Sequence, residues 1–186
     1  INAILYTFHP GFNQEVKNNQ KNVNIKNFDF KFEKTNQVNR ENKILLQEQS
    51  IKSILDYAKS VDQDIAIETD GSLSSPESVL LGSDVMYRKL FKKFDNLKIN
   101  LNLAHTYFAS KYFKFNLENF IDEFYENIAA VELSCNNGLL DQHLPLTKDC
   151  YLLEYVKKLK KKPIILEFRE CEFSSIDSSI DLIKNL

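Results

Sequence analysis

Glycine is scarce in this chain: four among 186 residues. Neither G-x-G-x-x-G nor G-x-x-x-x-G-K-S/T is present, which argues against a phosphate cradle made of backbone N–H groups. Cysteine is scarcer still. Cys135, Cys150 and Cys171 are odd in number, widely spaced and without a C-x-x-C pair. That argues against a disulfide framework and against a cysteine-rich zinc site, and a reducing, cytoplasmic setting is expected. No apolar run approaches ~18 residues, so no transmembrane helix and no membrane partner are expected. The opening INAILYTFHPG lacks the basic region of a signal peptide. It also lacks an initiator Met and starts inside a strand pattern, which predicts a processed or incomplete N-terminus. A formal net charge of -2 gives no general attraction to nucleic acid.

What is present is enough apolar material for one core, with 43% hydrophobic residues including Phe 14 and Tyr 8. One domain over 1–186 is expected, with 14–35, rich in Asn, Lys and Gln, as a surface excursion. Within it, alternating Phe28, Phe30 and Phe32 suggest an extended arm.

Strand patterns run over Ala3 to Phe8, Asp64 to Glu68, Lys98 to Leu103, Ile128 to Leu133 and Pro163 to Phe168, the first reading as buried. Helical patterns lie between them. Asn42 to Ser60 carries a stripe of Ile44, Leu45, Ile51, Ile54, Leu55 and Ala58. Ser75-Pro76-Glu77 has the form of a helix start. Asn116 can cap Leu117 to Tyr125, Asp149 to Lys160 is a further helix, and Ser175 to Leu186 closes the chain with Ile176, Ile180 and Ile183 in phase. This alternation predicts an α/β fold, a parallel sheet covered by helices. Five strands in 186 residues fall short of a closed (β/α)8 barrel, which takes about 200 residues or more. The choices are an open doubly wound sheet or most of a barrel.

Polar groups follow each strand: His9, then Glu68, then Asn102 and His105, then Glu132 with Asp141 and His143 in its loop, then Glu167. In parallel α/β folds the C-terminal strand ends form the active face. Carboxylates with imidazoles there suit Zn2+, Mn2+ or Mg2+. Asp141 and His143, two apart in D-Q-H, can face one cation if the loop bends. Plainer readings stand beside these. His9 fits an H-P-G turn, Glu132 a buried structural acid, and Asp141 with His143 an Asx turn and a surface histidine. Arg169 shares strand parity with Glu167 and can pair with it. Lys157 to Lys162 reads as a solvated face, and Lys111 to Phe115 as a helix-flanking surface.

The segments YTFHPG, IAIETDG, LNLAHTYF, VELSCNNGLLDQHLPL and PIILEFRE occur in this order over nearly the whole chain. Together they resemble the xylose-isomerase-like TIM barrel superfamily. The resemblance is to the branch uniting endonuclease IV-type apurinic endonucleases (AP endonuclease family 2) with sugar phosphate isomerases and epimerases. It implies a (β/α)8 barrel lacking its first three β/α units here. It implies that Glu68 and Glu167 hold the principal metal, and that His105, Asp141 and His143 form a second metal subset. His9 matches a further zinc histidine, Glu132 stands where a metal-binding His is usual, Asn102 replaces a metal-binding Asp, and Cys135 stands where Asp is frequent.

Three functions follow as expectations. The first is a divalent-metal-dependent isomerase or epimerase acting on a small sugar. Glu68 and Glu167 would be its catalytic pair, with His105, Asn102 and Arg169 facing substrate. The metal set is His9, Glu68, His105, Glu132, Asp141, His143 and Glu167. The second is a zinc phosphodiesterase acting on abasic DNA, disfavoured by the charge balance. The third is a barrel that has lost catalysis and kept a binding or structural role.

Overall fold

The computed structural model describes residues 4–14, 39–71, 76–137, 141–169 and 171–186. The fold is a partial (β/α) barrel with five parallel strands and six helices among these residues. The strands are β1 (Leu5–Phe8), β2 (Asp64–Glu68), β3 (Lys98–Asn102), β4 (Ile128–Leu133) and β5 (Ile164–Leu166). They pair in sequence order, β1-β2-β3-β4-β5, with every ladder parallel. All C-terminal strand ends therefore lie along one rim. The Phe arm and almost all of the expected 14–35 excursion lie outside the described residues, as does Ser75 of the expected helix start.

The central strands are covered on both faces. Ala66, Ile67, Ile99, Leu101, Val131 and Leu133 are fully buried, as continuous apolar runs in a parallel sheet require. The first strand is not the buried one expected, because it lies at the sheet edge and Tyr6 is 57% exposed.

Helix α1 (Arg40–Ser60) starts two residues before the expected Asn42, because the Asn39 side chain accepts the Glu41 N–H and caps it. Ile51, Leu55 and Ala58 face the core, but Leu45 points outward. The expected helix start at Ser75-Pro76-Glu77 becomes a single 3-10 turn, Pro76–Ser78. Helix α2 begins only at Asp84 and runs to Phe91, capped by Ser83. It packs against α4 (Leu117–Phe124) through Tyr87, Phe91, Phe120 and Phe124. Tyr87 and Phe120 meet edge to face at 5.1 Å. Asn116 caps α4 as expected.

Helix α3 (Leu103–Phe113) has no counterpart in the sequence reading. β3 turns into it without a linker, and Leu103, Ala104, His105, Thr106, Phe108 and Ala109 are all buried. A helix enclosed on nearly all sides shows no amphipathic stripe to detect. His105 therefore stands in the first turn of a helix rather than in a loop.

Two further expectations are corrected. Cys135 and Cys150 are paired as a disulfide, with Cα atoms 6.0 Å apart, and Cys171 is free. Helix α5 consequently spans Leu153–Leu159 rather than starting at Asp149, since the chain around Cys150 is taken up in turns. The last helix, α6 (Phe173–Lys184), packs Leu182 and Ile183 against the core. Ile180 is exposed, and the buried position is Ser179, whose hydroxyl accepts the Leu146 N–H.

Candidate metal centre

The rim collects most of the polar residues singled out by sequence. Glu68 and Asn102 end β2 and β3, and Glu132 lies opposite Asn102 in the β3–β4 register. Glu167 follows β5 and extends its ladder, donating its N–H to the Leu133 carbonyl.

Asp141 and His143 are brought in by their loop. Leu144 pairs with Cys135 through two backbone hydrogen bonds of 2.7 and 2.8 Å, and the Arg169 N–H donates to the His143 carbonyl. Between these anchors His143 takes a left-handed backbone, φ 50. For a non-glycine residue this conformation is costly, and such strain concentrates at functional sites.

The result is a convergence on one oxygen. His105 Nε2 lies 3.2 Å from Asp141 Oδ2, and His143 Nε2 lies 3.0 Å from the same atom. The two imidazoles stand edge to face, 5.9 Å apart. Ligand atoms of a tetrahedral Zn2+ site are about 3.3 Å apart, so these three need shift only slightly to hold an ion. His105 Nδ1 and Asp141 Oδ1 are buried with no hydrogen-bond partner among the described residues. The three ligand atoms, all within 4.8 Å of one another, suit one ion. The donor set therefore fits a divalent cation.

The centre of the rim is different. Asn102 Nδ2 reaches three carboxylates: Glu68 Oε1 at 3.1 Å, Glu132 Oε2 at 3.3 Å and Glu167 Oε2 at 3.4 Å. Asn100 Nδ2 also donates to Glu132, at 2.7 Å. An amide thus holds together three acids that would otherwise repel. Glu167 Oε2 lies 3.1 Å from His143 Nδ1.

Charge follows this layout. Burial, reinforced by Glu132, raises Glu68 to about 7. The Asp70 hydrogen bond raises His9 to about 9. Burial pulls His143 down, but its bonds to Asp141 and Glu167 outweigh that and bring it to about 9. His105 is likewise held above its ordinary value by Asp141 against burial. Burial works against ionised Asp141 and Glu167 too, yet the histidines keep both below the usual carboxylate range. In the metal-free protein, protonated imidazoles are the counter-cations of this acidic rim.

His9 stands at a second corner, beside Glu68 and Asp70. Sequence reading did not single out Asp70 or Asn100. Each lies two residues from a chosen rim residue, Glu68 or Asn102, so the same parity argument used for Arg169 would have found them.

No protein-family model matches the sequence, and no curated protein matches it. Solved structures do. A D-tagatose 3-epimerase-like protein superposes with a TM-score of 0.66 at 18% identity, over 97% of this chain and 61% of its own. A Thermus thermophilus protein, from a crystal soaked with ZnCl2, gives 0.58 at 11% identity, over 78% of this chain and 53% of its own. The 3-keto-D-glucoside 4-epimerase of E. coli, in its apo form, gives 0.57 at 12% identity, over 82% and 57%. The chain thus spans between half and two thirds of the length of each. The likeness is one of fold, the partial (β/α) barrel that this chain shares with the three structures. None of these three structures ties the chain specifically to AP endonuclease family 2, which the sequence resemblance had included.

Proposed function

We propose that this chain forms the active rim of a divalent-metal-dependent isomerase or epimerase acting on a small sugar or sugar-like substrate. The observation that carries the reading is the convergence of His105, Asp141 and His143 on one point, beside the paired Glu68 and Glu167. The two epimerase-type structures sharing the fold support the substrate class.

A cation at the His105–Asp141–His143 triad would polarise a substrate carbonyl or hydroxyl oxygen. Glu167, kept ionised by His143, is suited to remove a proton from the carbon beside a carbonyl. Glu68, raised to about 7, is protonated for much of the time near neutrality and is suited to return one. Asn102, which donates to both, fixes their separation, and His105 orients the substrate oxygen.

The test is to incubate the protein with ketoses in D2O, with Mn2+, Co2+, Zn2+ or Mg2+ added. Deuterium entering at the carbon beside the carbonyl, lost in Glu167→Gln, is the expected result. No exchange with any ketose at a metal-filled site would sink the proposal. The retained His9, His105, Asp141 and His143 favour a nuclease as the second reading. Cleavage of an abasic duplex without sugar exchange would establish it instead.

A further inference from the structure

We propose that Glu132, held in place by Asn100, binds hydroxyl groups of the substrate and is not a metal ligand. The inference rests on the isomerase or epimerase reading above and names the residue by which a polyhydroxy substrate is chosen.

Glu132 is fixed by two amides of one strand. Asn100 and Asn102 are two apart in β3 and so face the same side of the sheet. Asn102 lies opposite Glu132 in the β3–β4 register, and Asn100 lies opposite Ala130, diagonal to Glu132. Asn100 Nδ2 donates to Glu132 Oε1 at 2.7 Å, and Asn102 Nδ2 donates to Glu132 Oε2 at 3.3 Å. Each carboxyl oxygen thus accepts one N–H and keeps a further lone pair for a ligand.

Asn100 is fully buried. Its donor end is committed to Glu132, and its Oδ1 is left buried with no hydrogen-bond partner among the described residues. Leaving an acceptor buried and unpaired costs about 1–3 kcal/mol. Turning the amide over gives no relief, because Oδ1 would then face an oxygen of Glu132. Asn100 therefore keeps the orientation that steadies Glu132, at the expense of its own acceptor.

Two observations set Glu132 apart from the metal ligands. Among the described residues, two groups bring three ligand atoms within 4.8 Å of one another: His105 with Asp141 and His143, and His9 with Glu68 and Asp70. Glu132 belongs to neither. The positive ends of two N–H dipoles also point at its oxygens, and a cation there would have to sit beside them. A hydroxyl meets no such conflict, since it brings a hydrogen to the remaining lone pair. Glu132 is partly exposed and so within reach of a ligand at the rim. Its two oxygens suit hydroxyls on neighbouring carbons, the pattern that defines a sugar.

Calorimetric titration of the Co2+-loaded full chain with D-fructose, D-tagatose and D-xylulose tests this, beside Co2+ titration of the metal-free chain. Glu132→Gln keeps the shape and turns one acceptor into a donor, with folding checked by circular dichroism. It should bind the ketose preferred by wild type about 10- to 100-fold more weakly and Co2+ as tightly as wild type. Asn100→Ala should show the same split, weaker ketose binding with Co2+ binding kept, whereas a general loosening of the rim would weaken both. Weaker Co2+ binding in Glu132→Gln would overturn the inference and leave the proposed function standing, as would ketose binding equal to wild type. No Co2+ or no ketose bound by wild type would overturn both. Loss of Co2+ and ketose together in Asn100→Ala, or loss of neither, would overturn the part given to Asn100.

Discussion

Asn102 Oδ1 accepts the backbone N–H of His105 at 3.2 Å, and that bond decides which way round the amide sits. With its oxygen committed to capping α3, Asn102 must turn its NH2 group toward Glu68, Glu132 and Glu167. The amide stands where a cation would otherwise neutralise three carboxylates.

Asn102→Asp should therefore exchange an amide-bridged centre for a metal-dependent one. The new carboxylate still caps α3, but it adds a fourth acid and removes the shared donor. In EDTA the variant should lose roughly 2–4 kcal/mol of stability, the usual cost of an uncompensated buried charge. Mn2+ should restore it, with one more ion bound than in wild type. Thermal denaturation with and without Mn2+, and metal analysis after dialysis, check this. An unchanged Tm in EDTA would show that the amide does not bridge the acids.

Metal binding and pH should be linked at the same rim. His143 is raised from 6.5 to about 9, so its favourable contribution is complete below pH 6.5 and is lost as pH climbs through 9. Glu68, raised from 4.5 to about 7, acts in the same direction at lower pH. Metal-free protein should melt roughly 10 °C lower at pH ~9.5 than at pH ~6. Cation affinity should move the opposite way, because bound metal needs neutral imidazole. His143 alone should raise it about tenfold per pH unit up to about 9. Calorimetry in buffers of different ionisation enthalpy should show proton release on binding. Affinity independent of pH would contradict the assignment of His143 as a ligand.

The sequence displayed the rim better than its supports. Strand ends are local events, an apolar run followed by a carboxylate or histidine, and Glu68, Asn102 and Glu132 were legible that way. Helix α3 was not, because its burial removes the periodicity that marks a surface helix. The Cys135–Cys150 pair was not, because spacing alone says nothing about which cysteines meet. His143 could be chosen as a ligand but not its left-handed backbone, which depends on contacts with Cys135 and Arg169 across the fold.

Two glycines should separate rigid from yielding surroundings. A Cβ at Gly71 would collide with the backbone carbonyl of His105, which the first turn of α3 cannot withdraw. A Cβ at Gly82 would meet only the far edge of the Phe113 ring, which can swing aside. Gly71→Ala should cost about 1–3 kcal/mol, the range for overpacking, and should also weaken metal binding through His105. Gly82→Ala should cost less and leave metal binding unchanged. Urea denaturation and Co2+ titration of both variants provide the comparison, and equal effects would remove the distinction.

The disulfide should matter to the site as well as to the fold. Cys135 and Cys150 are 15 residues apart, and the loop they close contains both Asp141 and His143. Opening it frees the unfolded chain, and a loop of this length corresponds to about 3 kcal/mol. It also removes one of the anchors that hold His143 in its left-handed backbone, since Cys135 is the partner of Leu144. Cys150→Ser, or dithiothreitol treatment of wild type, should lower stability by about 2–4 kcal/mol. Both should weaken cation binding at Asp141 and His143. Thiol titration of the denatured, unreduced chain gives the direct check. One reactive thiol, that of Cys171, is expected before reduction and three after it, and three before reduction would show that the pair does not form.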